Sequence, residues 1–108
     1  MGQPLVSIIM GAYNCEATIE KCVESILQQT YKNWQFIICD DFSSDNTFDI
    51  LKKYEDKDSR IIILHNECNK RLAASLNNCL KVAKGKYIAR MDADDESLPQ
   101  RLEHQIEF

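Results

Sequence analysis

Apolar positions along this chain alternate between two rhythms. Leu5, Val6, Ser7, Ile8, Ile9 and Met10 form a nearly continuous apolar run, the habit of a strand covered on both faces in a parallel sheet. Gly11, Ala12, Tyr13 and Asn14 read as the turn that follows. Ile19, Cys22, Val23, Ile26 and Leu27 then recur at helical spacing, with Glu20, Lys21, Glu24, Gln28 and Gln29 on the other face, which predicts an amphipathic helix of about three turns. Trp34, Gln35, Phe36, Ile37, Ile38 and Cys39 make a second strand that ends in Asp40 and Asp41. Ser43, Ser44, Asp45 and Asn46 are turn and N-cap residues, ahead of a short helix marked by Phe48, Ile50, Leu51 and Tyr54. A polar turn leads to a third strand, Arg60 to His65, and a loop, Asn66 to Lys70, leads to a third helix in which Leu72, Leu76, Cys79, Leu80 and Ala83 share a face. Gly85 sits where a helix C-cap glycine belongs, and Lys86 to Met91 reads as a fourth strand. Ser97, Leu98, Pro99 and Gln100 have the form of a capping box with proline in the first turn, opening a helix through Leu102 and Ile106.

Strand and helix thus alternate, and the connections are too long for hairpins but suit helical crossovers. The predicted fold is α/β: one domain over residues 1–108, built as a Rossmann-like open, mostly parallel sheet with right-handed connections and helices on both faces. Ligands of such sheets bind beyond the carboxyl ends of the strands, where strand order reverses. Here those ends carry Ala12, Tyr13 and Asn14, then Asp40 and Asp41, then Asp92, Asp94, Asp95 and Glu96. Four acids in one turn repel each other unless a cation neutralises them. Either a divalent metal such as Mg²⁺ or Mn²⁺ sits there, taking oxygen ligands from carboxylates and a substrate phosphate, or the acids form an exposed turn that caps the next helix. The convergence of two acidic groups and an aromatic on one sheet edge favours the metal.

Charge and composition narrow the chemistry. A net charge of −4 without a basic run argues against a nucleic-acid partner. No segment approaches the roughly 20 apolar residues of a membrane span, and the N-terminus lacks the pattern of a secretory signal. Cys15, Cys22, Cys39, Cys68 and Cys79 are odd in number and lack CxxC spacing, so they read as free thiols of a reducing cytoplasm. Three glycines, Gly2, Gly11 and Gly85, build neither GxGxxG nor a P-loop, so a bound phosphate would need the metal of the acidic turn in place of a glycine nest. Tyr13 either stacks on a base or is a half-buried loop aromatic. Asp41 is suited to accept hydrogen bonds from an imide or a sugar hydroxyl, and Asp40 to cap its own turn. His65 and His104 take ordinary strand-end or surface roles, and no Ser/His/Asp or Cys/His pairing is visible.

Five segments in order resemble the family 2 glycosyltransferases of the GT-A fold: VSIIMGAYN (Val6 to Asn14), SILQQTY (Ser25 to Tyr31), FIICDDFSSDNT (Phe36 to Thr47), the helix around Asn77, and GKYIARMDADDESLPQRL (Gly85 to Leu102). The resemblance implies transfer of a sugar from a nucleoside diphosphate donor, a UDP-sugar foremost, to an acceptor hydroxyl, with inversion and with Mg²⁺ or Mn²⁺. It implies a nucleotide-sugar site in which Ala12, Tyr13 and Asn14 border the base pocket, Asp41 contacts the base, Asp92 lies near the ribose and Asp94 of the DxD ligates the metal. The family's general base belongs to an acceptor-binding half expected beyond Phe108, so residues 1–108 correspond to the donor-binding portion alone. That half missing, an uncovered sheet edge would favour self-association, and the full-length protein would work in the cytoplasm, at the cytoplasmic face of the membrane. Where the family often has glycine, this chain has Arg71, which implies either a different backbone path or a cation for the diphosphate. The rival readings are a receiver-like Mg²⁺-binding signalling domain and a nucleotide-binding module without chemistry.

Overall fold

The structure, a computed structural model, describes residues 4–93. β-branched and aromatic runs form four strands, β1 (Val6–Ala12), β2 (Trp34–Asp40), β3 (Ile61–His65) and β4 (Tyr87–Arg90). Between them lie α1 (Ile19–Leu27), α2 (Thr47–Lys57) and α3 (Arg71–Val82). All pairings are parallel, in the order β3-β2-β1-β4. Val6 of β1 lies opposite both Trp34 and Tyr87, so β1, like β2, is an inner strand and is buried along nearly all its length.

The alternation of side chains along β1 and β2 divides the core in two. Val6, Ile8, Met10, Phe36 and Ile38 point to one face, where Ile19, Cys22, Val23 and Ile26 of α1 and Leu51 of α2 cover them. Ile9, Ile37 and Cys39 point to the other, under Cys79 of α3. This layering follows from handedness. The chain steps from β1 to β2 to β3 in one direction, putting both right-handed crossovers on one face; the return past β1 to β4 puts α3 on the opposite face. The predicted open parallel sheet with helices on both faces is therefore the observed one.

Local expectations need correction at four places. Gly11 and Ala12 belong to β1 rather than to the turn, because they pair with Cys39 and Asp40. Asn46 precedes α2 but its side chain makes no cap; Asp45 takes that place, its Oδ1 accepting from the Thr47 N–H at 3.0 Å. In α3, Leu72 and Leu80 are nearly half exposed, and the buried side is made by Ser75 and Cys79. Small side chains there let the helix lie close to the sheet, with Cys79 Sγ 3.5 Å from the carbonyl oxygens of Met10 and Ile37. Burial pushes the Cys79 thiol up to about 11, an unreactive state.

Gly85 is the fourth. The helix ends at Ala83, which is extended, and no described glycine has positive φ. Gly85 is instead a contact glycine. A Cβ there would stand 2.5 Å from Ser7 N, 2.6 Å from Ser7 Oγ and 2.9 Å from Leu5 O. Its own N–H donates to Ser7 Oγ at 2.7 Å, and Lys86 N–H donates to Leu5 O at 2.8 Å, so the chain enters β4 flush against β1. All five cysteines are free, with Cys22, Cys39 and Cys79 buried. The predicted capping box at Ser97 to Gln100 and the helix through Ile106 lie outside the described residues.

Candidate functional site

Two strand ends and the start of α3 enclose a cleft at the carboxyl edge of the sheet. Ala12 and Asp40 end β1 and β2 side by side, and the next residue, Asp41, donates its N–H to Ala12 O at 2.8 Å. Gly11, Ala12, Tyr13, Asp41, Leu72 and Ser75 line a cleft of about 70 Å³. It opens at the carboxyl ends of β1 and β2, the edge at which open α/β sheets bind ligands. Gly11 lets Leu72 lie close over the strand, since a Cβ would stand 2.7 Å from Leu72 Cδ1 and the leucine would have to turn aside. Tyr13 stands at the rim, 51% exposed, with a ring face available to a planar group.

Asp41 is the buried charge of the cleft, and the loop after β3 is folded around it. Its Oδ1 accepts from Asn66 Nδ2 at 2.9 Å and Lys70 N–H at 2.7 Å, and its Oδ2 accepts from Arg71 N–H at 2.8 Å. Burial alone would raise its pKa; the Lys70 N–H, the Asn66 amide, and the N–H and charge of Arg71 outweigh it and hold the carboxyl below its ordinary value. Asn66 is fixed in turn, donating from Nδ2 to Ser75 Oγ at 3.1 Å and accepting from Asn78 Nδ2 at 2.9 Å. Each carboxylate oxygen accepts about two hydrogen bonds, so Oδ2 keeps one direction for a donor in the cleft.

Arg71 has φ of 72°, in the left-handed region where glycine has no steric cost. The loop thus makes a glycine-type turn with an arginine in it, and that turn aims Arg71 N–H at Asp41. Arg71→Gly should raise stability by about 0.5–1 kcal/mol, the relief of a left-handed residue less the entropy of an added glycine. Chemical denaturation of the two proteins checks this, and an equal or lower midpoint for the glycine variant contradicts it.

Asp40 and Asn14 brace the rim and do not line the cleft. Asp40 is fully buried; its Oδ1 accepts from Ser43 Oγ at 2.6 Å, its Oδ2 from Ser43 N–H at 3.1 Å, and His65 Nδ1 lies 3.2 Å away. It caps its own turn as the residue pattern suggested. Asn14, with φ of 46°, donates its N–H to Ser43 Oγ at 3.0 Å and accepts at Oδ1 from Ser44 N–H at 2.7 Å. Tyr13 is thereby held between a strand end and a pinned turn. His65 has the strand-end role expected of it, packed on Phe48 with ring centroids 4.4 Å apart.

Asp92 follows β4 with a carboxylate 58% exposed, 3.6 Å from Arg90 Nη2. Thr18 Oγ1 donates to Ala93 O at 3.2 Å, tying the start of this turn to α1. Asp94 lies outside the described residues, and among the described residues no three His, Cys, Asp or Glu side chains converge on one point. An exposed carboxylate at a strand end does fit the oxygen-donor chemistry of Mg²⁺ or Mn²⁺. Gly11, Leu72, Ser75 and Asn66 were not singled out from sequence. Ser75 was legible in principle, since it stands one helical turn before the buried Cys79.

Similarity to known proteins agrees with this geometry. The sequence profile described as glycosyl transferase family 2 matches residues 7–108. EpsE of Bacillus subtilis (strain 168) is 58% identical over 106 residues, covering 97% of this chain and 38% of EpsE. WfaP of Escherichia coli, a UDP-Glc:alpha-D-GlcNAc-diphosphoundecaprenol beta-1,3-glucosyltransferase, is 53% identical over 104 residues, covering 96% of this chain and 41% of WfaP. This chain therefore spans about two-fifths of the length of these relatives. Residues 1–349 of S. aureus TarS in complex with UDP superpose with a TM-score of 0.85 at 26% identity, covering 94% of this chain and 31% of that fragment. The receiver-like reading gives way to these matches, and it also fails on Asp40, whose oxygens are occupied by Ser43 and His65. In both sequence and GT-A architecture, this chain belongs to glycosyl transferase family 2.

Proposed function

We propose that residues 1–108 are the nucleotide-sugar-binding portion of a glycosyltransferase of polysaccharide biosynthesis. The enzyme would move a sugar from a nucleoside diphosphate, with inversion, to an acceptor hydroxyl. The observation that carries this reading is the cleft at the carboxyl edge of the sheet, with an exposed aromatic on its rim and a buried carboxylate in its wall. Tyr13 stacks on the base and Ala12 borders it. Asp41 accepts from the imide N–H of a uracil at the free direction of Oδ2, which selects UDP. TarS, described in complexes with UDP and with UDP-GlcNAc, supports the choice of nucleotide. Asp92 lies toward the ribose, and Asp94, with Asp92 near it, holds Mg²⁺ or Mn²⁺. When bound, that ion neutralises the charge that grows on the departing diphosphate.

In the inverting reaction the acceptor oxygen bonds to the anomeric carbon as the bond to the diphosphate breaks. The acceptor proton passes to a general base from the acceptor-binding half, beyond Phe108 in this numbering. By analogy with WfaP, whose name gives a diphosphoundecaprenol acceptor, the acceptor is lipid-linked and the protein works at the cytoplasmic face of the membrane. Among the described residues no helix is long and apolar enough to cross a membrane.

Calorimetric titration of this chain with UDP, with Mn²⁺ present and then chelated, tests the reading. Binding is expected only with metal, and its loss in Asp94→Ala is expected without loss of fold. Metal-independent binding, or binding that survives Asp94→Ala, rules out the proposed metal ligand. No binding of any nucleoside diphosphate rules out the donor site.

A further inference from the structure

A carboxylate senses one property of a base. Asp41 accepts hydrogen bonds, so it favours an edge that carries a ring N–H and repels an edge that carries a bare ring nitrogen. Uracil presents a ring N–H between its carbonyls, and guanine presents one beside its amino group. Cytosine and adenine present a lone pair at the corresponding place. Hydrogen bonding at Asp41 Oδ2 therefore turns away cytosine and adenine but does not separate uracil from guanine. These differ in size, because guanine carries a fused second ring between that edge and the ribose. The choice between them falls to the apolar walls of the cleft.

Leu72 is the wall that stands at the mouth. Ala12 and Ser75 are buried, whereas Leu72 is 46% exposed and lines the cleft with its Cδ1 seated over Gly11. Its backbone is held as firmly as Asp41 itself. Lys70 and Arg71, the two residues before it, donate their N–H groups to Asp41 at 2.7 and 2.8 Å. Ser75, further along α3, accepts at Oγ from Asn66 Nδ2 at 3.1 Å, and the same Nδ2 donates to Asp41 Oδ1 at 2.9 Å. The carboxylate that meets the edge of the base thus also fixes how far from it Leu72 stands.

We infer that Leu72 is a specificity-determining residue: it sets the width of the cleft, admitting a pyrimidine nucleotide and excluding a purine nucleotide with the same hydrogen-bonding edge. Given the donor site proposed above, on which this assignment rests, Leu72 supplies the separation of UDP from GDP that Asp41 cannot make. The two residues reject by different means. Asp41 leaves a wrong base with lone pairs opposed, and Leu72 leaves it without room. Rejection by room is bounded, since a methylene's worth of space in an apolar pocket changes binding about 10- to 200-fold. Leu72 shifts the preference by such a factor and does not make it absolute.

The test is calorimetric titration of the wild type and of Leu72→Ala with UDP, GDP and CDP, each with Mn²⁺ present. The variant is expected to fold, as circular dichroism will report, because the side chain removed is nearly half exposed and alanine is the best helix former. The wild type should bind UDP about 10-fold or more tightly than GDP, and Leu72→Ala should shift that ratio toward GDP by a similar factor. CDP should stay weak in both proteins, because Asp41 rejects it whatever the width. A gain of GDP without a gain of CDP supports the inference. An unchanged ratio of UDP to GDP, or CDP rising in step with GDP, shows that Leu72 only packs and overturns it. Equal binding of UDP and GDP by the wild type also overturns it while leaving the donor site intact. If the wild type binds none of the three, the donor site itself falls and the inference falls with it.

Discussion

Asp41→Ala is expected to lower stability by about 3 kcal/mol and to abolish nucleotide binding. The carboxylate is 4% exposed and collects three donors, Asn66 Nδ2, Lys70 N–H and Arg71 N–H, from the loop between β3 and α3. Without it three donors lose their acceptor, each at a cost of about 1 kcal/mol or more, and nothing holds Arg71 in the left-handed region. For a domain of this size the midpoint of thermal unfolding should drop by roughly 15 °C. Asp41→Asn keeps the volume but presents an NH₂ to backbone N–H groups, so it should cost nearly as much. A loss below about 1 kcal/mol in both variants would show that the loop does not depend on this charge.

The pH dependence follows from the direction of the shift. The folded pKa of Asp41 lies below the unfolded value of 3.8, so its stabilisation is complete above about pH 4 and is lost as pH falls through the folded pKa. Asp45, Glu55 and Asp58 are shifted the same way and add to the loss in acid. Stability measured between about pH 2 and pH 5 should therefore fall less steeply on acidification in Asp41→Asn than in the wild type. An identical slope would remove Asp41 from the linkage.

Gly85→Ala should be at least as disruptive, costing about 3 kcal/mol or more. The backbone dihedrals of Gly85 suit any residue, so the effect is contact alone. The added methyl meets Ser7 N at 2.5 Å and Leu5 O at 2.9 Å, both main-chain atoms at the start of the inner strand β1. Neither can rotate away, and Ser7 is fully buried, its hydroxyl donating to Gln35 Oε1 at 2.6 Å. Relief requires β4 to retreat, which breaks the bonds from Gly85 N–H to Ser7 Oγ and from Lys86 N–H to Leu5 O. Urea unfolding measures the cost. Removing the Ser7 hydroxyl in the same chain should not restore stability, because the nitrogen clash remains; rescue by Ser7→Ala would show that the hydroxyl was the obstacle.

These two positions show what the sequence carried and what it did not. The strands were legible because Leu5 to Met10 and Trp34 to Cys39 are runs that only a doubly covered strand tolerates. The alternation of elements then implied the parallel sheet, and the sheet implied that its carboxyl edge would hold the site. Asp41 was recognisable as a polar residue at a strand end. Its partners were not, since Asn66 and Arg71 reach it only through the fold of an irregular loop. Gly85 was misread because a glycine just after a helix is usually a cap; its actual cause is a neighbour far away in sequence. Leu72 and Leu80 share a face with Cys79 by spacing yet stay nearly half exposed, because spacing reports a face but not how far a helix is rolled against its sheet. Small residues at Ser75 and Cys79 set that roll.

The strand order has a consequence for how the chain is made. Val6 pairs with Trp34 on one side and Tyr87 on the other, so β1, near the start of the described chain, is completed by β4 near its end. During synthesis β1, α1, β2, α2 and β3 can assemble first, through short-range crossovers. Until residues 85–90 emerge, however, β1 has an open edge of main-chain donors and acceptors beside an apolar surface. Pairing with β4 has the greatest sequence separation in the sheet, and it ends the exposure of that edge by seating Gly85 against Ser7.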